Sequence, residues 1–237
     1  MSEELRVTNL DEIKKVAKQL LDVVKIEPSE KFPIICSHPY TNTTLVLSQG
    51  HRLDLTNKED YLVWREDVYR IIDRCQKIKD FLMILNTAYY LTFLKFSKNY
   101  MSLEDFSSTL GEAWVMEENP NGDVNVSINT SVSWFREADK KKLMISNDYK
   151  KWNSFDKGLV VYRGVAAGRV TNGLSWTTSI ESAEWFAHRY DTAEETGYIQ
   201  KLVVSDKRNI LCYFSTRGEE EVIIDIFKEG SFEVINE

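Results

Sequence analysis

The chain is poor in cysteine, in histidine and in positive charge, and each shortage removes a class of explanation. Its three cysteines, Cys36, Cys75 and Cys212, are odd in number and scattered, which gives neither a disulfide framework nor a thiolate metal cluster and points to a reducing compartment. The three histidines, His38, His51 and His188, show no ligand spacing, so no metal is expected. A formal net charge of -7 and an isoelectric point near 5.2 leave no cationic surplus to displace counterions from phosphates. Broad nucleic-acid binding is therefore not expected, and any positive site must be local. No hydrophobic run reaches membrane-spanning length: the most apolar stretch, residues 81–96, is short and is broken by Asn86, Thr87 and Thr92. The opening Met-Ser-Glu-Glu-Leu-Arg is acidic where a targeting signal is basic and then apolar. A soluble chain with no membrane partner is the expectation. Internal repeats and low-complexity tracts are also lacking.

What is present suggests an α+β chain in two parts. A length of 237 residues suits one large domain, or a small helical region joined to a catalytic one. Asn9 and Glu12 form a partial capping box ahead of Ile13, Val16, Ala17, Leu20, Leu21 and Val24 at helical spacing. Residues 32–55 contain Pro33, Pro39, Gly50 and β-branched side chains, and predict a loop or short hairpin. Thr56 and Glu59 then cap a long helix with one apolar stripe through Trp64, Val68, Ile71, Cys75, Ile78, Leu82, Leu85 and Tyr89, which we assign to the core. A short helix is predicted over 102–110. Asn119-Pro120-Asn121-Gly122 marks a turn or linker, so the expected domains are 1–115, mainly helical, and 116–237. In the second, residues 132–143 predict a helix with Trp134, Phe135 and Ala138 inward and Lys140 to Lys142 as a solvated face. Short β-rich runs follow at 159–163, 198–204, 210–214, 221–227 and 232–235, interrupted by a helix at 182–190.

Three of these segments carry polar residues where burial alone would prefer apolar ones. In Tyr162-Arg163-Gly164 an arginine closes an apolar strand and a glycine lets the backbone turn or approach a ligand. A guanidinium suits phosphate, although an edge-strand arginine paired with a carboxylate reads the same way in isolation. In Thr177-Thr178-Ser179 a run of hydroxyls enters the helix of Ala183, Trp185, Phe186 and Ala187. They could brace a catalytic carboxylate, or Ser179 could cap the helix with Ser182 as a competing cap. His188 and Arg189 follow as a cationic pair, suited to a second phosphate or simply to a helix C-terminus. In Glu219-Glu220-Glu221-Val222-Ile223-Ile224 the glutamates run into an apolar strand. Regular alternation would set Glu219 and Glu221 on one face about 7 Å apart, where two carboxylates can perturb each other.

In that order, a strand-ending arginine, a hydroxyl triplet before a helix and a Glu-x-Glu opening a late strand resemble the signature of the toxin-like mono-ADP-ribosyltransferases. The Phe186-Ala187 pair and Arg189 downstream of Ser179 look like the corresponding stretch of the Rho-modifying exoenzymes in that family. The segments are also similar to small transferase-like proteins encoded by bacteriophages. The resemblance covers roughly the last third to half of the chain; residues 1–115 carry no motif of it. It implies a split β core of two facing sheets with flanking helices, preceded by a helical region. It implies NAD as substrate and no metal, with Arg163, Gly164, Thr177, Thr178, Ser179, Phe186 and Arg189 binding NAD. Glu221 would be the catalytic glutamate and Glu219 the first position of Glu-x-Glu, which in the family goes with arginine as acceptor. Tyr213 and Phe214 would sit in the acceptor-recognition turn. The implied partner is an unidentified acceptor, taken to be a protein, and the implied location is cytoplasmic, in the host cell for a phage-encoded protein. An oxocarbenium-like transition state next to a carboxylate gives this chemistry its physical logic. The alternatives are an NAD glycohydrolase, an inactive binding or inhibitory module on the same fold, and a helical interaction protein.

Overall fold

A computed structural model describes residues 7–216 and 218–235. The acidic opening hexapeptide lies outside the described residues. The chain is mixed α/β and divides into two compact units, Met1–Glu118 and Asn119–Glu237, where the sequence suggested a change at 115/116.

In the first unit α1 (Leu10–Val23) begins at Asn9, whose side chain accepts from Glu12 N as the capping pattern predicts. Residues 28–55 form two antiparallel hairpins instead of one: β1 (Ile35–His38) with β2 (Thr41–Thr43), and β3 (Leu45–Ser48) with β4 (His51–Asp54). The predicted Thr56 cap is displaced to Asn57, because the Thr56 hydroxyl is spent on Asp54. The long helix is two helices, α2 (Lys58–Arg74) and α3 (Ile78–Ile84). Asp80 causes the break: its carboxylate accepts from Gln76 N and Lys77 N, offering the backbone a partner that continued helix would deny it. The apolar stripe consequently drifts, with Ile72 buried and Ile71 exposed. Then α4 (Tyr90–Ser97) and α5 (Leu103–Met116) close the core around the stacked pair Phe81 and Phe93.

The second unit opens with three short helices, α6 (Ile128–Glu137), α7 (Lys140–Leu143) and α8 (Ser146–Ser154). The single helix expected over 132–143 breaks at Ala138 because Asp139 caps a new one. A six-stranded sheet follows, built from β5 (Val160–Val165), β6 (Ser175–Thr177), β7 (Tyr198–Val203), β8 (Ile210–Phe214), β9 (Glu221–Ile224) and β10 (Glu233–Ile235), with α9 (Ile180–His188) after β6. The strand order is β10-β7-β5-β6-β9-β8, and every described pairing is antiparallel. The two facing sheets expected from the sequence are corrected to two halves of one sheet. β10-β7-β5 and β6-β9-β8 meet at the single register pair Tyr162 with Thr177, whereas β5 and β7 pair at six successive positions. All three residues of β6 pair with β9, and only Thr177 also pairs with β5. Val161, Val165, Trp176, Ile199, Leu202, Val222, Ile223 and Ile224 are all buried in this unit. Each such side chain contributes about 1.5–3 kcal/mol relative to exposure.

Candidate functional site

The three polar segments converge where the halves of the sheet meet. Pairing sets Tyr162, Thr177, Glu221 and Phe214 opposite one another on four successive strands, β5, β6, β9 and β8. Arg163 is the next residue along β5, so the arginine and the glutamate reach the junction from the two sides of the split.

Arg163 is tied down firmly. Its Nη1 donates to Ser175 O at 2.7 Å and its Nη2 to Val170 O at 3.0 Å, so the guanidinium stitches the 166–174 loop to the sheet. It lies flat on Gly173, where a Cβ would come within 2.2 Å of Nη2; this close approach explains the glycine. Burial lowers the Arg163 pKa to about 10, and the negative charge of Glu221 works against that shift. The guanidinium is therefore charged at neutral pH and lies within electrostatic reach of Glu221. Its buried Nε has no hydrogen-bond partner.

Of the two readings of the hydroxyl triplet, the structure shows the one in which Ser179 caps the helix. Thr177 Oγ1 donates to the carbonyl of Glu219 at 2.8 Å and accepts from Ser179 N. Thr178 Oγ1 donates to the carboxylate of Glu220. Ser179 is the N-cap of α9, accepting from Ser182 N at 3.0 Å and donating to Glu181. The triplet thus fixes the backbone and the middle glutamate of the Glu219–Glu221 run, with none of these bonds going to the Glu221 carboxylate. Regular alternation from Glu219 to Glu221 is also corrected. β9 begins at Glu221, and Glu220 has φ +48° while Gly218 has φ +71°, so the residues before β9 turn in the left-handed region. Arg217 lies outside the described residues.

Other expected ligands are reassigned by packing. Gly164 admits α9: a Cβ there would stand 2.1 Å from Ala183 O and 2.8 Å from the Phe186 Cβ. Gly164 and Phe186 are thus a helix-on-sheet contact. Tyr213 and Phe214 are buried, Tyr213 edge-on to Phe155. Arg189 is enclosed by aromatic rings, 4.9 Å from Phe186, 4.7 Å from Tyr190 and 5.4 Å from Trp185. Its Nε is buried without a partner, like that of Arg163. His188 pairs with Asp191 at 2.7 Å.

Two supporting residues escaped sequence reading. Asn121, in the predicted linker, clamps β6: its Oδ1 accepts from Leu174 N at 2.6 Å and its Nδ2 donates to Ser175 Oγ at 2.8 Å. Asp148 on α8 is buried and accepts from both the backbone N and the hydroxyl of Ser215, at 3.1 and 2.6 Å, anchoring the segment that leads to Glu219. No pattern betrays either, because an isolated Asn or Asp among charged residues looks solvated. Asp148→Ala is expected to lower stability by about 2–4 kcal/mol, since two part-buried donors lose a buried charged acceptor; a urea midpoint within error of wild type would refute the anchoring role.

Among the described residues no group of three or more His, Cys, Asp or Glu could hold a metal ion, and no helix is long and apolar enough to cross a membrane. No protein-family model, curated protein or solved structure matches the chain.

Proposed function

We propose that the Asn119–Glu237 unit is an NAD-dependent mono-ADP-ribosyltransferase with arginine on a protein as acceptor. One observation carries this: the Arg163 guanidinium, held by the carbonyls of Ser175 and Val170, lies within electrostatic reach of Glu221 across the junction of the two half-sheets. A pyrophosphate needs the first and a ribosyl cation needs the second. Arg163, together with Arg189, holds the pyrophosphate through charge-assisted hydrogen bonds. Glu221 stabilises the positive charge that develops on the ribose as the glycosidic C–N bond breaks and its electron pair leaves with nicotinamide. The acceptor nitrogen then bonds to the ribose carbon, and Glu219 takes the proton that nitrogen loses.

One observation favours hydrolysis by water as a second reading: Tyr213 and Phe214 are buried and leave the acceptor side without the expected aromatics. A paired assay decides. Nicotinamide release and labelled-arginine formation are followed together on purified protein with an extract as acceptor source. Transfer requires both signals, and release without label gives the glycohydrolase. Neither signal would refute both. Under the transferase reading Glu219→Gln is expected to lose arginine labelling by on the order of 100-fold or more while keeping measurable nicotinamide release. Full labelling by that variant would remove Glu219 from the role of base.

A further inference from the structure

β7 carries a side chain that neither the fold nor the proposed chemistry uses. Gln200 is only 1% exposed, and its Oε1 has no hydrogen-bond partner. An unpaired buried amide oxygen costs stability, a burden the fold has no reason to carry on a strand position that an aliphatic side chain would fill. Gln200 also lines a pocket of about 610 Å³, together with Thr171, Asn172, Thr196, Tyr198, Phe232 and Val234.

The chemistry of this wall is specific. Two aromatic rings, Tyr198 and Phe232, offer flat surfaces, and Thr171, Asn172 and Thr196 offer neutral hydrogen-bonding groups. No Asp, Glu, Lys, Arg or His lines it among the described residues, so a phosphate or carboxylate entering it would lose water without gaining a counter-charge. A primary amide presents an acceptor and donors side by side, and it is satisfied in one step by a ligand edge that carries a donor beside an acceptor. The adenine N6/N7 edge pairs with glutamine in this way, and so does a carboxamide.

The geometry points to this pocket as a binding site for a neutral, planar heteroaromatic group bearing an adjacent N–H donor and acceptor, a ring carboxamide or an adenine edge, with Gln200 as its recognition residue. In register Gln200 faces Arg163 across β5 and β7, so the site adjoins a cationic residue. A molecule joining such a ring to a phosphate would reach both. The assignment stands on the pocket and does not need the transferase chemistry.

Titration calorimetry of the full chain with nicotinamide and with adenosine separates the two sources. Nicotinic acid and inosine serve as controls, because the first replaces the amide by a carboxylate and the second replaces the 6-amino group by oxygen. At least one parent ligand is expected to bind, and its control at least tenfold more weakly. Gln200→Leu is expected to weaken binding at least tenfold while leaving the unfolding midpoint equal or higher, since it removes an unpaired polar group. Should that variant fail to fold, the Gln200 side-chain amide resonances of the wild-type protein are followed by NMR, and they are expected to shift on titration with the parent ligand. Failure of both parents to bind, absence of discrimination from the controls, unchanged affinity in Gln200→Leu or unmoved amide resonances would each overturn the assignment. Binding through Gln200 with no NAD cleavage would sink the transferase reading alone. NAD cleavage with neither parent ligand bound would sink this one alone.

Discussion

Glu221→Gln is expected to reduce both nicotinamide release and arginine labelling by on the order of 100- to 10,000-fold, with little change in NAD affinity. The substitution keeps the shape of the side chain and removes its charge. Position makes that charge effective. Glu221 opens β9 between two paired neighbours, Thr177 on β6 and Phe214 on β8, and the next three residues are buried, so its backbone cannot drift. Half-buried and within electrostatic reach of the Arg163 guanidinium, its carboxylate works in surroundings where a developing cation is stabilised more strongly than in water. Because it acts on charge that appears only in the transition state, its loss falls on kcat more than on KM. Glu221 also opposes the burial-driven fall in the Arg163 pKa, so removing its charge lets that pKa fall further from about 10, and a titration of the variant checks the coupling independently of catalysis. If Glu221→Gln kept wild-type nicotinamide release, the carboxylate would have no part in the reaction.

The sequence showed which segments are unusual more clearly than what each side chain does. Arg163, the hydroxyl triplet and the glutamate run stood out because strand ends rich in Val and Ile rarely carry such groups without cause, and the structure brings all three to the junction of β5, β6 and β9. The destinations of the hydroxyls could not be read. They depend on a backbone turn at Glu220, at φ +48°, and an assumed regular strand there puts every following side chain on the wrong face. The helix break before α3 was hidden for a similar reason: Asp80 fits a helical pattern well, and only its bonds to Gln76 N and Lys77 N reveal a cap. Gln200 was invisible because polar letters in a strand ordinarily mark the solvent face, whereas here both Ile199 and Gln200 are buried. The buried β8 run, residues 210–214, was legible as a strand from its apolar letters; the same letters show Tyr213 and Phe214 to be core, a conclusion the family resemblance obscured.

Arg163→Ala is expected to weaken NAD binding by about 10- to 100-fold, the equivalent of the roughly 1.5–3 kcal/mol of a charge-assisted hydrogen bond. Arg163→Lys is expected to recover only part of it. The guanidinium has two tasks at once, and this makes the lysine variant informative. Nη1 and Nη2 are bound to the carbonyls of Ser175 and Val170, and the plane of the group rests on Gly173, so the fork is oriented before any ligand arrives. A lysine ammonium carries the charge but not the plane, and it cannot span both carbonyls while pointing a further donor outward. Loss of the two bonds destabilises the 166–174 loop, yet removing a cation whose burial lowers its pKa to about 10 relieves a desolvation cost, and the two effects oppose each other in stability. They do not oppose each other in binding, because the alanine variant has neither the charge nor the oriented donor. Affinity is therefore expected to fall further than the unfolding midpoint in the alanine variant, with the lysine variant between wild type and alanine. Calorimetric titration with NAD beside thermal unfolding of the same samples measures both. Equal NAD affinity in wild type and Arg163→Ala would show that the arginine serves the fold alone, and full recovery by lysine would show that charge without geometry is enough.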